Sequence, residues 1–117
     1  MKDEKHQIQE AIRGALSHTD VEIVFLTGGT GISPRDTTYE AVNDLLDKRL
    51  PGFGELFRQY SLVEIGTATI LSRASAGVAQ GKGVFSAPGS RGAVRLALER
   101  ILIPEAGHIV SELHKRG

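Results

Sequence analysis

Apolar residues at Ile8, Ala11, Ile12, Ala15 and Leu16 fall on one face of a helix over residues 4–17, with Asp3 at the position of an N-cap. "VEIVFL", residues 21–26, breaks that period. It is β-branched, aromatic and nearly all apolar, which suits a strand buried on both faces of a parallel sheet. "TTYEAVNDLLDK", residues 37–48, returns to a helical period, with Ala41, Val42, Leu45 and Leu46 inward and Thr37 with Glu40 as a capping box. "LPGFG", residues 50–54, interrupts the pattern, and Phe53, Leu56, Phe57 and Tyr60 then space out as a further helix. "ASAGVAQ" and "GVFSA", separated by "GK", read as a hairpin or two neighbouring strands. "PGS", residues 88–90, opens a helix with Val94, Leu98, Ile101 and Leu102 inward. Pro104 suits the first turn of a last helix whose apolar face is Ile109, Val110 and Leu113.

That order predicts a layered α/β domain, with a mostly parallel sheet and helices on both faces. About three strands are legible, fewer than the roughly four to six of a common sheet. At 117 residues the chain fits one domain, residues 1–117, around one core. Lysine plus arginine and aspartate plus glutamate number 14 each, so charge gives no reason to expect nucleic acid or a membrane as a partner. There is no cysteine, which excludes disulfides and thiolate metal sites and fits a reducing, cytoplasmic setting. The four histidines, His6, His18, His108 and His114, include no i, i+4 pair, and we read them as surface or packing residues.

Candidate chemistry begins where the first strand ends. In open α/β sheets ligands sit beyond the carboxyl ends of strands, and "LTGGTGISPRD" occupies that place. Gly28, Gly29 and Gly31 let amides point inward, and Thr27, Thr30 and Ser33 add hydroxyls, a composition that favours an anion. The loop fits neither the dinucleotide fingerprint nor the P-loop, so a bare glycine-rich turn stays as the alternative. Asp36 reads two ways, as a helix cap or as a carboxylate that meets phosphate through a metal such as Mg²⁺. Asp3, on its own, reads as a cap. "APGSRGAVR", residues 87–95, makes a second strand-end cradle or a turn capped by Ser90, and "LSR", residues 71–73, adds a hydroxyl–guanidinium pair.

"TGGTGISPRDTTYEA", "PGFGELFRQYS", "IGTATILSRASAG" and "APGS", in that order, resemble the MoaB/MogA family of molybdenum cofactor biosynthesis. The same domain occurs in gephyrin and its plant relatives, and "GFGELFR" and "PEAGHIVSEL" lean toward MoaB. The resemblance covers essentially the whole chain. It implies an α/β domain that binds molybdopterin and, with ATP and Mg²⁺, adenylylates its terminal phosphate. Carried over by motif, Asp36 and Asp3 are the catalytic carboxylates, with Asp36 also on the metal. Thr27, Gly28, Gly29, Thr30 and Gly31 hold nucleotide and phosphate, and Ser72, Arg73, Pro88, Gly89 and Ser90 line the pterin side. The resemblance implies a trimer or hexamer. Family members also carry a strand, a helix and a second strand ahead of the equivalent of Asp3, which predicts a truncated domain here, with an open strand edge. A truncated, non-catalytic family member serving folding or assembly is the alternative.

Overall fold

The fold is organised around strand β4 (Lys82–Ala87), buried from Gly83 to Ala87. The computed structural model describes residues 4–115. Before β4 come α1 (Glu4–Leu16), β1 (Ile23–Thr27), α2 (Thr38–Asn43), β2 (Lys48–Arg49), α3 (Pro51–Ile65), a 3-10 segment (Gly66–Leu71) and β3 (Ser75–Ala79). After it, α4 (Arg91–Arg95), a π-helical segment (Leu96–Leu102) and α5 (Ile103–Leu113) follow without a break.

Among the described residues the sheet has four strands in the order β1-β4-β3-β2. The layered α/β class is the one expected. The expected mostly parallel sheet is corrected to a mixed one: β1 and β4 are parallel, whereas β3 runs antiparallel to both β4 and β2. The cause is local. Gln80 (φ 52°) and Gly81 (φ 76°) form a two-residue turn between Ala79 and Lys82, and two successive left-handed residues match the twist of a tight hairpin. The fourth strand, β2, was not anticipated; two residues carry too little pattern to be seen.

Side chains of alternating strand positions enter two cores. Phe85 and Ala87 join Phe53 and Phe57 of α3 and Leu96, Ala97, Ile101 and Leu102 on one face. Val84 joins Ile12 and Leu16 of α1, Val42 of α2 and Ala79 on the other. Ile23 and Phe25 of β1 pack on the first core, Val24 and Leu26 on the second. The strand is thus covered on both faces as its composition predicts, but it is half-buried because it lies at the edge of the described sheet.

Two expected helices differ. The segment 37–48 is helical only over Thr38–Asn43. Asp47 N donates to Val78 O (2.7 Å) and Leu50 N to Ala76 O (2.8 Å), so sheet pairing takes the residues whose pattern continued the helix. The last two helices are one continuous run, not two. Ile103 N donates to Leu98 O, five residues back, and the helix passes through Pro104 inside this wider turn. In a regular α-helix the proline ring would crowd the carbonyl four residues earlier.

Candidate functional site

The parallel pair β1 and β4 places two loops side by side. Gly28 N, just past β1, donates to Ala87 O at the end of β4 (2.9 Å). A Cβ on Gly89 would meet Gly28 Cα at 3.4 Å, so the loops starting at Gly28 and Pro88 touch through their backbones. Two glycines are demanded by close approach. Gly29 has φ +69°, and a Cβ there would lie 2.3 Å from Thr38 Oγ1. A Cβ on Gly31 would lie 2.7 Å from Asp36 Oδ2. Between these points Gly29 O accepts from Thr38 N (3.0 Å) and Thr30 O accepts from Arg73 N (2.7 Å).

Asp36 does not cap α2. Its Oδ2 accepts from Ser33 N (3.0 Å), and its own N donates to Ser33 O (2.9 Å), which folds the loop back on itself. Oδ1 takes no hydrogen bond among the described residues. The expected capping box is also absent: Thr37 Oγ1 is buried without a partner, and the Glu40 carboxylate is bound by Arg73 Nη1 and by Nη2 (3.3 Å). Arg73 Nε donates to Gly31 O (2.8 Å) and Nη2 to Asp36 O (2.8 Å), while the guanidinium lies 5.2 Å from the centre of the Tyr39 ring.

Clefts open on two sides of this loop. One, of about 280 Å³, is lined by Thr30, Gly31, Ser72, Pro88 and Ser90 over the aromatic floor of Phe57. The other, about 400 Å³ and more open to solvent, is lined by Asp36 and Arg73 with Lys5, Ser33 and Glu40. A sequence profile described as "Probable molybdopterin binding domain" matches residues 1–108. The chain belongs to this molybdopterin-binding family.

Individual relatives agree. Molybdenum cofactor biosynthesis protein B of Halalkalibacterium halodurans is 59% identical over 116 residues, covering 98% of this chain and 68% of that protein. A crystal structure of a molybdenum cofactor biosynthesis protein B superposes with TM-score 0.93 at 52% identity, over 98% of this chain and 72% of that one. The tungsten cofactor synthesizing protein MoaB from Pyrococcus furiosus gives TM-score 0.87 at 42% identity, over 95% and 70%. MoaB/MogA is therefore the family to which the sequence motifs pointed.

The residues singled out by those motifs are divided among several places in this molybdopterin-binding domain. Thr30, Gly31, Ser72, Pro88 and Ser90 share the first cleft; Asp36 and Arg73 share the second. Gly28 and Gly89 form the backbone contact between the loops, Gly29 lies against Thr38 at the start of α2, and Thr27 is exposed at the end of β1, lining neither cleft. Asp3 lies outside the described residues. Ser90 Oγ accepts from Ala93 N (3.2 Å), so it caps the following helix while its hydroxyl proton remains available. Glu40 and Tyr39 were missed as site residues. Glu40 was visible in the sequence but assigned to a local cap instead of to Arg73.

A metal test follows from the donors. Among the described residues no three His, Asp or Glu side chains converge, so a cage built from protein alone is not formed. Mg²⁺ shared with phosphate needs only one or two carboxylates. Asp36, with Ser33 N holding one oxygen and the other unengaged, fits that requirement.

The ion pair gives the loop an acid limit. Hydrogen bonding from Arg73 lowers the Glu40 pKa from its ordinary value of 4.5, with smaller help from its own backbone N–H and from the charges of Arg73 and Lys5, against a desolvation penalty. Asp36 is the other carboxylate lining that cleft. A depressed folded-state pKa contributes stability that is complete above the unfolded value and is lost as pH falls through the folded one. Urea midpoints should therefore drop as pH is lowered below 4.5, and Glu40→Gln should remove that part of the slope. Parallel profiles for the two proteins would refute the assignment.

Proposed function

We propose that the chain binds molybdopterin in the cleft between Thr30 and Ser90 and transfers AMP from Mg-ATP to its phosphate. The observation that carries this reading is the backbone contact between the Gly28 and Gly89 loops, beside a cleft lined from both. Amides and hydroxyls from two strand ends suit a phosphate-bearing ligand, and the apolar floor at Phe57 and Leu96 suits a flat ring.

In the reaction a pterin phosphate oxygen attacks the α-phosphorus of ATP in line. One P–O bond forms, the bond to the β-phosphate breaks, and pyrophosphate leaves with the electron pair. Thr30, Ser72 and Ser90 orient the acceptor by hydrogen bonds, and the loop amides stabilise charge on the phosphate oxygens. Asp36 would hold Mg²⁺ together with the nucleotide phosphates. Mg²⁺, when bound, supplies charge neutralisation across the phosphates.

The test is pyrophosphate release from Mg-ATP with molybdopterin as acceptor. Acceptor-dependent, Mg²⁺-dependent release supports the reading. The single unengaged carboxylate oxygen of Asp36 also suits a weaker, binding-only module. Saturable molybdopterin binding without pyrophosphate release would favour that second reading.

We also propose self-association as a trimer or hexamer. Val63 (88% exposed) and Ile65 (59%) of α3 and Ile70 (77%) of the 3-10 segment stand in solvent, apolar side chains that association would cover. Light scattering should return a multiple of the chain mass, and a monomer at all concentrations would rule it out.

A further inference from the structure

Arg73 was expected to line the pterin side, yet its side chain lies in the other cleft, behind the loop. A guanidinium has five N–H donors. Nε and Nη2 reach the carbonyls of Gly31 and Asp36, and Nη1 and Nη2 reach the two Glu40 oxygens. Tyr39 lies against the guanidinium group, and Glu40 neutralises its charge. Little donor capacity and little net charge remain for a ligand. What the group does hold is the loop. Residues 28–37 have no regular secondary structure, and a single rigid planar cation ties together the backbone at Gly31 and Asp36. Arg73 N also binds Thr30 O (2.7 Å), so the same residue pins the stretch from Thr30 to Asp36 at three carbonyls. Ser72, its neighbour in sequence, lines the opposite cleft.

We infer that Arg73 is a positioning residue: anchored by Glu40 and Tyr39, it fixes the Thr30–Asp36 loop and so sets the position of the Asp36 carboxylate, the group proposed to hold the metal ion. The role rests on the proposed Mg-ATP chemistry, but its structural half does not. Lysine keeps the charge and loses the planar fork, so it cannot join both carbonyls and both carboxylate oxygens at once.

The experiment compares Arg73→Lys, Glu40→Gln and wild type by amide hydrogen exchange without ligand, and by Mg-ATP affinity. Arg73→Lys should speed exchange of the amides from Gly31 to Asp36 by about tenfold or more, with β4 unaffected. It should weaken Mg-ATP binding by about tenfold, yet add less than about twofold in an Asp36→Asn background, because the two act as one unit. Glu40→Gln, which keeps a neutral acceptor, should give an intermediate acceleration and keeps the test open if the lysine variant folds poorly. Unchanged loop exchange in both variants overturns the inference. So do fully additive losses of affinity, which would make Arg73 an independent ligand contact. If the wild type binds no Mg-ATP, the proposed function fails, and the exchange data still decide whether Arg73 holds the loop.

Discussion

Asp36→Asn should lower pyrophosphate release by about 10²–10³-fold while leaving the thermal midpoint nearly unchanged. Asparagine is the same shape, and its carbonyl oxygen can still accept from Ser33 N, so the fold of the loop survives. The negative charge does not survive, and with it goes the attraction for a cation shared with phosphate. A neutral acceptor also leaves the Arg73–Glu40 pair in place, since Arg73 binds the backbone carbonyl of residue 36 and not its side chain. The loss should therefore fall on turnover, with molybdopterin affinity much less affected because the cleft proposed for the pterin is lined by other residues. Initial rates and a melting curve on the same preparation decide it. Unchanged turnover would remove Asp36 from the chemistry.

The largest stability effect should come from Phe57→Ala. Phe57 is 1% exposed, its ring 6.3 Å from that of Phe53, which in turn meets Phe85 edge-on at 5.1 Å. Truncating such a ring typically costs about 3–5 kcal/mol, the lost transfer energy plus the cavity left behind. Against a native stability of roughly 5–15 kcal/mol, that is enough to bring the protein close to unfolding at ambient temperature. Phe57 also floors the cleft proposed for the pterin, so ligand affinity should fall beyond what unfolding alone explains. Urea denaturation measures the first effect. A cost below about 1 kcal/mol would mean that this aromatic cluster is not the core we take it to be.

What could be read in advance was what neighbours in sequence decide. The α1 stripe from Ile8 to Leu16, the existence of strand β1, the hairpin around Gly81 and the Ser90 cap all depend on residues within a few positions of one another. The misses are contacts between distant residues. Glu40 chose Arg73, 33 positions away, over the cap three residues back. Lys48, read as the end of a helix, pairs with β3 instead, together with Arg49. The mostly parallel sheet was at odds with the hairpin reading from the start, because a two-residue turn permits only antiparallel strands. For the site, the glycine loops were legible because close backbone approach leaves few alternatives to glycine. The division into two clefts was not, since it depends on which side of the loop Ser72 and Arg73 face.

The π-helical segment from Leu96 to Leu102 has a bearing on how this chain tolerates length changes. A wider turn accommodates one more residue than a regular turn of the same rise. The register of Ile109 against the sheet side is thereby set by a surplus residue upstream, not by the α-helical repeat alone. Removing that surplus residue would let the turn relax to a regular α-helical one and leave the residues beyond it at nearly the same angle about the helix axis. Ile109 would stay on the core of Phe85 and its neighbours, and the cost would fall instead on Pro104, whose ring would then crowd the carbonyl four residues back.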